Sequence, residues 1–249
     1  MADDTANEKV YIHELIDVIG HGRNRYMHHM TANWCPVGRV ERNMLCFGVW
    51  ATVGSTGAWP QVVNLWELEG WNGLADNFEH ELVGKGAQDP SLAEWWAVAS
   101  ELRRGGFDRI AVPEPWSPTI EELTAAGTKG AVYAHELVEL PPGGARPFLD
   151  ALATIGRAET EKRGLECVAA LRIALRNDTE AVVIWAAPDL ATWAAFEQAW
   201  DDGALGPWRT ELTRLGARVE RVLMVDSPLS PMRIGRQPEE SDRLPLSEL

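Results

Sequence analysis

Residue types able to move a proton gather in one stretch of this chain. Residues 10–15 read VYIHEL, and a helical stretch downstream reads GHGRNRYMHHMTANWC from Gly20. On a strand, Tyr11, His13 and Leu15 share one face while Ile12, Glu14 and Ile16 share the other, so Glu14 lies on an otherwise apolar face. A carboxyl there either pairs with a neighbouring strand or helix end, or it is desolvated and serves as a general base. On a helix, Tyr26, His29 and Asn33 fall at i, i+3 and i+7, one face, and Tyr26 and Met30 mark the buried side. His29 and Asn33 therefore border the core, where a polar group has a partner or lines a cavity. His21, Arg25 and His28 form the neighbouring, more solvent-directed face. The cluster reads either as a surface helix with incidental histidines or as the polar rim of an apolar pocket. In the second reading His29, whose unperturbed pKa is ~6.5, is the general acid or base. Glu14 and Tyr26 complete the catalytic set, Asn33 orients the ligand, and His13 is a lining hydrogen-bond former. Arg23 and Arg25 near the helix start offer instead a carboxylate or phosphate site, helped by the free amides there.

Other chemistries find less support. Adjacent His28 and His29 point about 100° apart on a helix, so they cannot share one ion. There is no HExxH and no Cys/His pair at ligand spacing. His29 with His13, Glu14 or His80 could converge, so the expectation of no cofactor leaves a single metal ion or haem as alternatives. GKG at Gly84–Gly86 is not a phosphate loop, and Ser55 in GST is a turn residue, not a nucleophile elbow.

The elements that must position these groups occur twice. VYIHEL at residue 10 is answered by VYAHEL at residue 132, an offset of 122. VVNLW from Val62 answers AVVIW from Ala181, FEHEL from Phe78 answers FEQAW from Phe196, Trp96 answers Trp208, and PWSP from Pro115 answers PLSP from Pro228. The offset falls to 113 by the last pair, as small indels between diverged copies produce. A period this long implies two domain-sized copies. In the first, the pattern predicts strand 10–18, helix 22–33 stopped near Pro36 and Gly38, strands 44–53 and 61–67, helices 72–82 and 92–104 ended by Gly105 and Gly106, and strand 108–112. The second repeats this from residue 131 to residue 225. The order is the split β-α-β-β-α-β plan of ferredoxin-like folds. Each sheet needs cover for its second face, which two copies supply by closing into one α+β barrel. The expected organisation is a flexible tail at 1–9, a first ferredoxin-like repeat with the candidate pocket at 10–118, a linker at 119–130, a second repeat at 131–232 and a flexible acidic tail at 233–249.

The YxHEL opening of each copy, the strand–long helix–hairpin–helix–strand plan and the tandem arrangement resemble the NIPSNAP-like branch of the dimeric α/β-barrel superfamily over residues 10–232. That superfamily includes cofactor-free monooxygenases, haem-degrading enzymes, dehydratases, isomerases and ligand-sensing modules. The resemblance implies a ligand between sheet and helices and transfers no catalytic residue.

The copies also serve as controls for each other. Where the first has His21, His28, His29, Asn33 and Trp34, the second has Gly143, Asp150, Ala151, Ile155 and Gly156. Of 12 Trp, Trp66 with Trp185 and Trp96 with Trp208 align and belong in the core, and Trp193 and Trp200 fit a buried stripe with Phe196. Six more belong to the first copy alone. Trp50 shares a strand face with Cys46 and Gly48, small residues that leave room for a ligand, and Trp34 is placed to close that space. Trp34, Trp50 and Trp66 join Asn33, His13 and Arg25 as candidate ligand-binding residues.

The net charge of −14 over 249 residues argues against nucleic acid and against anionic membrane surfaces. The polar, acidic N-terminus and three unpatterned cysteines fit a reducing cytoplasm. The expected function is binding of a small hydrophobic or aromatic molecule and cofactor-free acid–base chemistry upon it: isomerisation, dehydration or oxygenation. The alternative is a non-catalytic ligand- or haem-binding module, or an interaction protein with no pocket. A homo-oligomer remains open.

Overall fold

The computed structural model of the chain describes residues 6–82 and 89–249. Residues 1–5 of the expected N-terminal tail, and the GKG at Gly84–Gly86, lie outside them. The elements run β1 (Val10–Val18), α1 (Arg23–His28), a π-helical run (His29–Trp34), α2 (Cys35–Arg42), β2 (Leu45–Thr52), β3 (Gln61–Leu68), α3 (Gly70–Glu81), α4 (Pro90–Leu102) and β4 (Arg103–Pro113). After α5 (Ile120–Ala126) come β5 (Val132–Glu139), α6 (Ala145–Ala151), a second π-helical run (Leu152–Gly156), α7 (Arg157–Glu161), β6 (Glu166–Ala174), β7 (Glu180–Ala187), α8 (Leu190–Asp201), α9 (Gly206–Leu215), β8 (Arg218–Asp226) and α10 (Pro231–Ile234). This is the expected α+β class.

Two compact units result. Among the described residues, the first comprises those within Glu8–Arg109, Thr119–Thr128 and Asp226–Leu249; the second comprises residues 6–7, Ile110–Pro118 and Lys129–Val225. In the first unit β3 lies between β1 and β2, antiparallel to both, with Glu14 opposite Asn64 and Ile12 opposite Trp66. In the second, β5 lies between β7 and β8, and β6 pairs with β7 and with Ile110–Pro113, again antiparallel. β2, β3 and β7 are buried at every position after the first, so both faces of these strands are covered. Their runs of Val, Ile, Leu, Phe and Trp suit that setting.

Local chemistry sets the element ends. Asp89 caps α4 by accepting from the amides of Ser91 and Leu92, with Pro90 at its first turn. Thr119 and Glu122 form a reciprocal capping box on α5, within the expected linker.

Several expectations are corrected. The first helix does not stop at Pro36 and Gly38: Pro36 sits in the first turn of α2, where its missing N–H costs little, and the helix continues to Arg42. It ends at Asn43, in the left-handed region at φ 49°. Gly105 and Gly106 do not end α4 but lie inside β4. Gly106 is needed there because a Cβ would come within 2.5 Å of the Leu15 carbonyl oxygen. The segment 233–249, expected to be flexible, is tied down in the first unit. Gln237 bonds both the N–H and the carbonyl of Cys46, Arg243 donates to the Ala32 carbonyl, and the Leu244 N–H donates to His28 Nε2 at 3.0 Å. Asn7, in the expected N-terminal tail, bonds the carbonyls of Pro115 and Ser117.

The tryptophans divide differently from the alignment. Trp66, Trp185 and Trp208 are buried, but Trp95 takes the inward position expected of Trp96. Trp193 and Trp200 are only half-buried around a buried Phe196, and Trp59 and Trp71 stand 57% and 52% exposed. The room expected beside Trp50 is filled by its own ring: a Cβ on Gly48 would lie 2.1 Å from it. Gly48→Ala is therefore expected to destabilise the protein by about 1–3 kcal/mol through overpacking. An unshifted urea midpoint would show that the ring yields freely.

Candidate functional site

Four side chains of the first unit converge on the apolar face of β1. Glu14 Oε2 accepts from Asn64 Nδ2 at 2.7 Å and from the Trp66 indole N–H at 3.2 Å. Asn64 also donates to the Tyr26 hydroxyl at 3.1 Å, so its amide bridges strand carboxyl and helix phenol. Register explains the cluster. Asn64 is directly opposite Glu14 on β3, and Trp66 is the diagonal neighbour two residues on. Tyr26 reaches the same spot from α1.

The bonding of Glu14 is lopsided. Both donors fall on Oε2, and Oε1 accepts none among the described residues. The residue is half-buried and its carboxyl is desolvated. Burial, then the negative charge of Asp108, push its pKa up to about 7, against the opposing pull of Asn64, Trp66 and Arg103. Burial and the nearby Glu14 raise the Tyr26 phenol as well, so it stays protonated. The Asn64 carbonyl oxygen is buried without a hydrogen bond.

Glu136, the glutamate of VYAHEL on β5, behaves otherwise. Glu136 Oε2 also accepts from an indole, Trp185, at 3.0 Å. Its Oε1, however, is taken by Arg221 Nε at 3.0 Å and Nη2 at 2.6 Å, and the same guanidinium reaches Glu197 at 3.0 Å. A shared sequence feature thus meets two electrostatic fates: neutralised in one unit, uncompensated in the other.

His29 sits in a different place. Its Nε2 lies 3.0 Å from the Trp95 carbonyl, and its Nδ1 lies 2.9 Å from Asn33 Nδ2. The pattern assigns the proton to Nε2, with Nδ1 accepting from Asn33. The ring stacks on Trp95, with centroids 5.2 Å apart and planes 1° from parallel. Burial lowers its pKa against the opposing carbonyl bond. His29, Asn33, Trp34 and Trp95 line a cavity of about 310 Å³, with Arg243 at its edge. The expected residues thus form two groups: Glu14, Tyr26 and Trp66 around Asn64, and His29, Asn33 and Trp34 around Trp95.

The remaining candidates are placed as follows. His13 is fully buried on the opposite face of β1, and burial followed by the Arg109 charge lowers its pKa to about 3, so it is neutral. Arg25 is exposed, and Arg23 reaches the Thr52 carbonyl at 3.4 Å. His28, expected to face solvent, is buried because the C-terminal segment covers it. Asn64, Trp95, Arg103 and Asp108 were not anticipated from sequence. Asn64 had a signal: it is a polar residue in an apolar strand, where the matching stretch AVVIW has Val183.

Metal ligation gains little. Among the described residues, Glu41, His80 and Asp89 bring ligand atoms within 4.8 Å of one another. Asp89, however, is committed to Arg42 at 2.8 Å and to two helix amides. That cation beside the carboxylate opposes a second one.

No known family profile and no curated protein matches the sequence. Solved structures do resemble the fold. An anthrone oxidase-like protein aligns with a TM-score of 0.59 at 12% identity, over 88% of this chain and 92% of its own. A presumed monooxygenase from Lactobacillus acidophilus aligns at 0.56 with 10% identity, over 88% and 94%. A chlorite dismutase variant from Candidatus Nitrospira defluvii aligns at 0.50 with 10% identity, over 89% and 92%. The structural neighbours are ferredoxin-like dimeric α/β-barrel proteins, and the likeness concerns the fold alone. Haem fits this chain poorly. His28 and His29, which each line a cavity, already use Nε2 on Leu244 and both ring nitrogens on Trp95 and Asn33, respectively. An axial bond would break one of these contacts. No described helix is long and apolar enough to cross a membrane.

Proposed function

We propose that the first unit binds a small hydrophobic or aromatic carbon acid and that Glu14 removes a proton from it. The carrying observation is the free Oε1 of a carboxyl titrating near 7, held in place through Oε2 alone. A base is most effective when its pKa lies near the working pH. Asn64 and Trp66 fix the carboxyl. Tyr26 receives one Asn64 hydrogen and keeps its own to donate to the substrate oxygen on which negative charge develops. The proton moves from carbon to Oε1 and the electron pair moves onto the carbonyl as an enolate. Returning the proton at another carbon is isomerisation, and expelling a hydroxyl as water is dehydration. Capture of O₂ by the enolate gives a hydroperoxide, which loses water to leave a new carbonyl. Oxygenation is the favoured outcome, supported by the names of the anthrone oxidase-like and monooxygenase neighbours. Within the superfamily, the two YxHEL openings support a NIPSNAP-like placement.

The test isolates the proton step. Anthrone under nitrogen in D₂O should exchange its acidic methylene hydrogens faster with the wild-type protein, at a rate rising with pH through about 7. Glu14→Gln should lower that acceleration about 10²–10⁴-fold. Equal exchange by both proteins, read by NMR, removes Glu14 from this role.

A second reading is a non-catalytic binding module centred on the cavity beside His29, favoured by its Trp34 and Trp95 walls. There His29, with both nitrogens bonded, positions aromatic rings and transfers no proton.

A further inference from the structure

A second cavity of about 260 Å³ opens where α1 meets the C-terminal segment. An engineered apolar cavity of about 150 Å³ suffices to hold benzene, so this one has room for a two-ring molecule. Its walls include Met27, Leu229, Leu244 and Leu249. Leu244 and Leu249 are still 52% and 42% exposed, which leaves apolar surface for a ligand to cover.

The polar groups at this cavity carry no net charge to offer. Asp242 is clasped by both Nη1 and Nη2 of Arg236, at 2.8 and 2.7 Å. His28 accepts the Leu244 N–H at Nε2, which makes it the neutral tautomer. Ser227 also lines the cavity, is almost fully buried, and has a hydroxyl without a hydrogen-bond partner among the described residues. Buried polar groups are rarely left so.

We propose that this cavity is a second binding site, for an uncharged one- or two-ring molecule carrying a single hydroxyl or carbonyl that pairs with Ser227. A carboxylate or ammonium finds no counter-charge there. The site is separate from Glu14 and does not depend on the chemistry proposed for it. Because Leu244 and Leu249 form its wall, an occupied site holds the C-terminal segment against α1.

Naphthol, naphthalene and naphthoate are the probes, titrated while the ε-methyl resonance of Met27 is followed in methionine-labelled protein. Naphthol should shift it saturably and naphthoate should not. Ser227→Ala should weaken naphthol about tenfold and leave naphthalene unchanged, as loss of one buried hydrogen bond implies. Leu229→Trp should fill the space and abolish both. If that variant does not fold, Ser227→Ala decides alone. The proposal is overturned by no saturable shift, by naphthoate binding as tightly as naphthol, or by Ser227→Ala binding naphthol like the wild type. Glu14→Gln should bind naphthol normally, which separates failure here from failure of the proton-transfer reading.

Discussion

Glu14→Gln is expected to be more stable than the wild type at pH 8, and to lose that advantage as the pH falls from about 7 to about 4.5. The folded protein raises the Glu14 pKa to about 7 from an ordinary value near 4.5. A raised folded-state pKa favours the protonated form, so its stabilisation is complete below the unfolded value and is lost as the pH rises through the folded one. At about 1.4 kcal/mol per unit, the wild type forfeits up to about 3 kcal/mol across that window, less whatever solvent reaching Oε1 screens. Gln cannot ionise, keeps a side-chain oxygen for Asn64 and Trp66, and forfeits nothing. Urea unfolding at pH 4, 6 and 8 reads the difference directly. If Glu14→Gln is the less stable protein at pH 8, the carboxylate is a net stabiliser and the desolvation account fails. Asp108→Asn should narrow the gap, because the Asp108 charge is the second cause of the raised value. A group that costs stability when ionised near neutral pH is the kind retained at sites of chemistry.

How much of this was legible follows from particular residues. Period-two alternation put Glu14 on the apolar face of β1, and comparison of the copies singled out the helix carrying Tyr26, His29 and Asn33. The same comparison applied to β3 exposes Asn64 against Val183, the residue that links Glu14 to Tyr26. What stayed hidden was non-local. His28 reads as solvent-facing from its helix alone, because the segment that covers it lies 216 residues away. Trp50 was placed on the right face with Gly48, but strand period does not say that its ring folds back over the glycine. The π-helical run from His29 to Trp34 breaks the 3.6-residue spacing from which one face for Tyr26, His29 and Asn33 was read. The two clusters part before that run: three residues on an α-helix leave about 60° between Tyr26 and His29, and Tyr26 meets Asn64 of β3 while His29 meets the Trp95 carbonyl of α4. The pairing of Glu136 with Arg221 depends on β5 and β8 being neighbours in register, which no local pattern encodes.

That pairing supplies the other large effect. Arg221→Met should cost about 3–5 kcal/mol at pH 8, because it strands the Glu136 carboxylate, only 6% of whose side chain is exposed, without a counter-charge. Glu197 loses its partner too, but it is more exposed and water compensates it. The double variant Arg221→Met with Glu136→Gln should recover much of the loss, because no carboxylate is then stranded. A loss under about 1 kcal/mol, or no recovery in the double variant, would mean that the pair is solvated and that neutralisation does not distinguish the two carboxyls. Carboxyl carbon NMR gives a second readout. In the wild type Glu14 should titrate near 7. Glu136 shares the indole hydrogen bond and the burial with Glu14 and differs from it in the bonds from Arg221. One arginine on β8 would thereby account for why the same motif yields a structural ion pair in one unit and a candidate base in the other.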